Sequence, residues 1–98
     1  MNGLDETIHQ PMRLRLMAAL TALPPSAEGL DFARLKSLTG ATDGYLGAHI
    51  DHLARAGYVE VAKAFVGRRP RTTVKASRAG RAAFARHVAF LREILAQS

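Results

Sequence analysis

DFARLKSLTGATDGYLGAHIDHLARAG, residues 31–57, is the stretch on which the fold turns. It contains two apolar stripes at helical spacing: Phe32, Leu35 and Leu38, then Leu46, Ile50 and Leu53. Apolar residues three and four apart share one face of a 3.6-residue helix, so each stripe predicts a short helix with that face inward. Asp31 stands where the first helix needs an N-cap, and Thr42 or Asp43 where the second does. Thr39-Gly40-Ala41 leaves space only for a tight turn between them. Gly57 closes the second helix at a position that favours a left-handed residue. Two short helices joined by a Gly-containing turn make a helix–turn–helix, here about residues 31–56.

Immediately after Gly57 the period changes. Val59, Val61 and Phe65 alternate with Tyr58, Glu60 and Ala64, which is strand patterning. Val66-Gly67-Arg68-Arg69-Pro70-Arg71 reads as a loop, and the β-branched run Thr72-Thr73-Val74-Lys75-Ala76 as the returning strand of a hairpin. A hairpin over about 58–76 directly behind the second helix is the wing of a winged helix–turn–helix.

On the N-terminal side, Pro11 suits a first helical turn, where its missing N–H is not needed. Leu16, Met17, Leu20 and Leu23 then form an amphipathic helix that Pro24-Pro25 ends. At the other end Ser77 caps a long helix over about 77–96. The predicted class is mainly α with a β-hairpin (α+β), in the order α-α-α-β-β-α with a long C-terminal helix. All 98 residues are expected in one domain.

The chain carries a formal net charge of +6, unevenly placed. Residues 1–30 sum to −1, residues 31–57 to zero and residues 58–98 to +7. A basic excess confined to one part of a chain points to a polyanionic partner. With no cysteine, disulfides and thiolate metal sites are excluded. His49 and His52 are too few to hold a metal alone, and His49, at the edge of the buried stripe, is expected to be packed and hydrogen-bonded. His9 and His87 fit interior or interface positions. Neither a phosphate-cradling loop nor a paired-carboxylate or activated-nucleophile motif is visible, so no enzymatic activity and no cofactor are expected. An apolar run long enough to span a bilayer is also absent, as is a signal-peptide pattern, and a cytoplasmic location follows by default.

Several motifs together resemble a winged-helix family of small transcriptional regulators, related to the MarR and ArsR groups. They are Leu4-Asp5-x-x-Ile8-His9-x-x-x-Arg13, Phe32-x-x-Leu35, Thr42-Asp43-Gly44-x-Leu46, His49-x-x-x-Leu53, Gly57-Tyr58-Val59 and Gly67-Arg68-x-Pro70-x-Thr72. The resemblance covers residues 4–98 and implies sequence-selective binding of double-stranded DNA by a homodimer. Tyr45 departs from it, standing where a small polar residue is usual.

From the residues themselves, a steep turn lets the N-terminal half of the second helix enter a major groove about 12 Å wide. Its outward residues are the candidate base and phosphate contacts: Thr42, Asp43, Gly44, Tyr45, Ala48 and His52. In the wing the candidates are Arg68, Arg69, Arg71 and Thr72, since guanidinium forks pair with phosphates and fit narrow minor grooves. The last helix carries two apolar stripes: Phe84, Val88, Leu91 and Leu95, and beside them Ala83, Phe90 and Ile94. One is expected to cover the core and the second, Ala83, Phe90 and Ile94, to meet a partner copy. The competing reading is a winged-helix protein-interaction module that does not touch DNA. No residue argues for a small-molecule effector or a membrane surface.

Overall fold

The computed structural model describes residues 3–97. Its elements are α1 (Glu6–His9), α2 (Pro11–Thr21), β1 (Leu30–Asp31), α3 (Phe32–Thr39), α4 (Asp43–Arg55), β2 (Val59–Val66), β3 (Arg69–Ala76) and α5 (Arg78–Ala96). α2 is central: Leu16, Met17 and Leu20 are buried on it, and it touches α1, α3, α4, α5 and β3. Ile8, Leu35, Leu46, Ile50, Leu53, Val59, Val74, Ala76 and Ala83 complete the core. Each fully buried aliphatic side chain of this size stabilises the fold by roughly 1.5–3 kcal/mol relative to exposure.

The caps follow the sequence closely. Asp31 accepts from the Arg34 N–H, Thr42 from the Tyr45 N–H and Ser77 from the Gly80 N–H. Of the two candidates at the start of α4, Thr42 is therefore the cap, and Asp43 is the first helical residue. Gly40, at φ +69°, ends α3 with its N–H on the Lys36 carbonyl, so the chain reverses in three residues.

Four details differ from the sequence reading. Leu38 does not face inward; it is 48% exposed, because α3 spans only eight residues and its inward face is used up by Leu35. The strands of the wing are longer, and its loop shorter, than expected: they run to Val66 and from Arg69, leaving a two-residue turn, Gly67-Arg68. Gly67 has φ +66° and Arg68 does not share the positive φ, the pattern of a Gly-X hairpin turn. Pro70 is tolerated inside β3 because the third strand, β1, reaches only to Val74 and Thr73, so β3 has a free edge at Pro70. Val61 and Phe65 alternate as read but remain exposed, since the hairpin runs past the body. The sheet is antiparallel in the order β1-β3-β2. α1 and β1 are the additional elements.

α1 is tied down by polar contacts. The Tyr58 hydroxyl donates to Asp5 Oδ2 at 2.6 Å, while Asp5 Oδ1 caps α1 through the Ile8 N–H. The Asp5 N–H donates to Nδ1 of the fully buried His87, at 3.2 Å. A backbone N–H can only donate, so His87 is neutral with its proton on Nε2, which donates to His9 Nδ1 at 3.3 Å. Burial first, then the neighbouring His9, holds His87 below its ordinary range; Asp5 pulls the other way. As pH falls below about 6.5 the unfolded chain takes a proton at this histidine that the folded one refuses, so stability is lost with falling pH. It is complete above that value and declines through the lower folded-state value. Melting temperatures between pH 7.5 and 5 are expected to show this fall. His87→Asn, which keeps an acceptor where Nδ1 lies and has nothing to titrate, should flatten it. An unchanged slope in that variant would refute the assignment to His87.

Candidate nucleic-acid interface

With Leu46, Ile50 and Leu53 buried, α4 turns Thr42, Asp43, Gly44, Tyr45, Ala48 and His52 outward, and all six are exposed. The sequence placed these correctly because the 100° step of a helix leaves little freedom once the buried stripe is known. The surface is small in volume: Gly44 and Ala48 leave the backbone approachable, and Tyr45, 49% exposed, is the largest side chain on it. Asp43 is not free, since it is ion-paired with Lys36 of α3. At the far end of the same face Arg55 is ion-paired with Asp51, one turn back.

Tyr45 has a neighbour that no periodicity reveals. Its ring meets the His49 imidazole edge to face, with centroids 4.6 Å apart and planes at 77°. Arg13 of α2 donates from Nη1 to His49 Nδ1 at 3.1 Å. Burial, then the Arg13 charge, then His52, holds His49 below its ordinary range, consistent with a neutral ring accepting from a guanidinium. The expected packed, hydrogen-bonded His49 is what stands here. Arg13 was absent from the sequence-derived candidates because 36 residues separate it from His49.

Register divides the wing into two faces. Val59, Val61, Lys63 and Phe65 stand with Ala76, Val74, Thr72 and Pro70 on the face that lower down covers the core. Arg69 and Arg71 stand on the opposite face with Val66 and Ala64, and Arg68 occupies the turn. The three arginines are not equivalent. Arg71 lies 3.7 Å from the Asp31 carboxylate, whereas among the described residues Arg68 and Arg69 have no ion pair. Phe65, 73% exposed, sits across from Pro70 near the tip.

An open cleft of about 650 Å³ separates the wing from α3 and the start of α4, with Arg69, Arg71 and Thr72 on one wall and Lys36 and Asp43 on the other. Of the sequence-derived candidates the structure brings Asp43, Arg69, Arg71 and Thr72 to one groove, while Thr42, Gly44, Tyr45, Ala48, His52 and Arg68 do not line it. Cations line both walls, and Asp31 and Asp43 are each paired to one of them.

The candidates on α5 are rearranged. Ala83 is 1% exposed and belongs to the core, which removes it from any partner surface. Phe90 is half-buried, with its ring against Gly3, and Ile94 is exposed. The inward face of α5 is centred on Gly80, Ala83 and His87, so a polar residue lies in the middle of the buried stripe. Val88 and Leu91 are half-buried and Leu95 is 72% exposed where the helix outruns the body. Among the described residues no helix is long and apolar enough to cross a membrane.

Comparison with known proteins agrees with this architecture. The model of a family described as "Winged helix DNA-binding domain" matches residues 12–95. An uncharacterized protein from Methanocaldococcus jannaschii is 32% identical over 77 residues, 79% of each chain. The solved structure of a transcriptional regulator homologue from Pyrococcus horikoshii OT3 is similar with a TM-score of 0.83 at 26% identity, covering 95% of this chain and 88% of that one.

Proposed function

The chain belongs to the winged helix DNA-binding domain family, and from that premise we propose that it is a transcriptional regulator that binds double-stranded DNA as a homodimer. The observation that carries the reading is the groove between the wing and α3 with the first residue of α4, together with the unpaired Arg68 and Arg69 at the wing tip. α4 enters the major groove with Thr42, Asp43, Gly44, Tyr45, Ala48 and His52. The wing sets Arg68, Arg69, Arg71 and Thr72 against phosphates or the adjacent minor groove. Residues 31–56 are the reading unit, 58–76 the clamp and 77–96 the dimerising segment of one domain. The similarity to a protein titled a transcriptional regulator homologue supports the regulatory role. Occupancy of a promoter, rather than chemistry, would be the mode of action, inside the cytoplasm.

The dimer is built on the C-terminal half of α5. Val88, Leu91 and Leu95 continue the apolar stripe of Phe84 along the helix, half-buried at Val88 and Leu91 and exposed at Leu95. Burying such a stripe against its symmetry mate gives an isologous contact and places two α4 helices about one DNA turn apart. Phe90 and Ile94 flank the stripe.

Selection of duplexes from a random-sequence library by the full chain tests the whole reading. The expected product is a pair of inverted half-sites about 10 base pairs apart, centre to centre. Enrichment of a single, unrepeated site would remove the dimer. No retention of DNA even at low salt would remove the regulator, and the protein-interaction module would take its place.

A further inference from the structure

We propose that Arg13, which lies outside the helix–turn–helix, is a positioning residue for sequence readout, fixing Tyr45 on the leading face of α4 through His49. The inference rests on the DNA-binding reading above. It starts from how firmly Arg13 is held before it reaches α4. Its backbone N–H donates to the Gln10 side chain, and its Nε donates to the Thr7 carbonyl at 2.5 Å. The guanidinium is thereby anchored to the junction of α1 and α2, with Nη1 left to donate to His49 Nδ1.

That hydrogen bond settles the state of the histidine. Arginine has no acceptor, so His49 contributes a lone pair at Nδ1 and carries its proton on Nε2. The imidazole then has one orientation, and its contact with the Tyr45 ring follows from it. Tyr45 and His49 are four apart on one side of the helix, where side chains meet one above the other. An exposed tyrosine ordinarily samples several χ1 wells; an edge-to-face neighbour locked from behind selects one. Because Gly44 and Ala48 offer no hydrogen-bonding side chain to a base edge, the direction of Tyr45 bears strongly on what the face can discriminate.

A purely architectural role for Arg13 fits less well. α4 is already seated by Leu46 and Leu53, both completely buried, and by Ile50. Removing Arg13 leaves those contacts in place; on α4 it frees only the His49–Tyr45 pair, the other bond lost being the one to the Thr7 carbonyl on α1. Loss of Arg13 should therefore be felt in selectivity and not in general affinity.

The test uses the full chain with two duplexes: one selected by the wild-type protein from a random library, and one of random sequence. Arg13→Ala and Tyr45→Ala are each expected to weaken binding to the selected duplex by about tenfold and to the random duplex by less than about twofold. The double variant should bind no more weakly than Tyr45→Ala alone, since residues acting as one unit are not additive. His49→Phe keeps a ring and removes the acceptor, so it should match Arg13→Ala and guards against a folding defect peculiar to the latter. Additive losses in the double variant, or equal losses on both duplexes, would overturn the proposal while leaving the DNA-binding reading intact. Failure of the wild-type protein to select any sequence would bring down that reading, and this inference with it.

Discussion

Gly80→Ala is expected to destabilise the protein by about 3 kcal/mol, the upper part of the usual range for overpacking. In a chain of this size that lowers the melting temperature by roughly 12–24 °C. Helix propensity alone argues the opposite sign, because alanine inside a helix is better than glycine by about 1 kcal/mol. What decides is the close approach of α5 to the junction of α4 and β2. A Cβ at Gly80 would overlap the Tyr58 carbonyl oxygen and lie 2.8 Å from its carbon. That carbonyl is held in place, since it accepts from the Ser77 N–H at 3.0 Å, and the Ser77 hydroxyl is bonded to the Gly57 carbonyl. No flexible side-chain end is available to yield, so the helix must lift off the body. The lift would strain the Asp5–His87 contact as well, because both groups sit on the same side of α5 as Gly80.

The same substitution at Gly47 supplies the contrast. Nothing lies within 4 Å of a Cβ there, and Gly47 is helical. Gly47→Ala should therefore stabilise by about 0.5–1 kcal/mol, the ordinary propensity gain. Thermal melts of the two variants beside the wild type check both signs. A Gly80→Ala protein melting within a few degrees of wild type would mean that α5 is not seated as described. Gly44 is equally open, but it lies on the outward face of α4. Glycines at the second and fifth positions of α4 are costly to the helix unless a partner needs to come close to the backbone.

These contrasts also locate what the sequence could and could not disclose. α2, α3, α4 and α5 were legible because each carries apolar residues at helical period, and the outward face of α4 followed from its stripe. α1 spans four residues, too few for a period, and is held by Asp5, Tyr58 and His87 rather than by pattern. β1 is two residues that become a strand only by pairing with Thr73 and Val74. On α5 two apolar stripes lie side by side, and the inward one is interrupted by His87. Hydropathy therefore did not separate the inward face from its neighbour, and Ala83 was misplaced. His87 can be buried because the Asp5 N–H and His9 satisfy both its nitrogens, and those partners lie 82 and 78 residues away. Arg13 and His49 are likewise joined only by the fold. Local pattern reports local structure; long-range polar pairs leave no period to read.

The wing arginines carry the second large effect. Every phosphate neutralised by a cation contributes about 0.9 to the slope of log affinity against log salt. Replacing both Arg68 and Arg69 by alanine is expected to flatten that slope on random-sequence duplex by about 1.8. Between 50 and 200 mM salt, the wild-type protein should then lose about twelvefold more affinity than the double variant. Arg71→Ala should flatten the slope by clearly less than either of the others. In the free protein its charge is already partly met by Asp31, 3.7 Å away, so bringing it to a phosphate exchanges one anion for another. Asp31→Ser, which keeps a capping oxygen for the Arg34 N–H but removes the charge, should bring Arg71 up to the full value. Binding titrations across the salt series separate the outcomes. Equal effects from all three arginines would mean that the Asp31 pair opens at no cost, as exposed pairs worth less than about 1 kcal/mol can do. An unchanged slope in the Arg68/Arg69 variant would detach the wing from the phosphates altogether. The exposed Phe65–Pro70 pair would then mark the hairpin as a surface for a protein partner, with α4 alone left to hold the DNA.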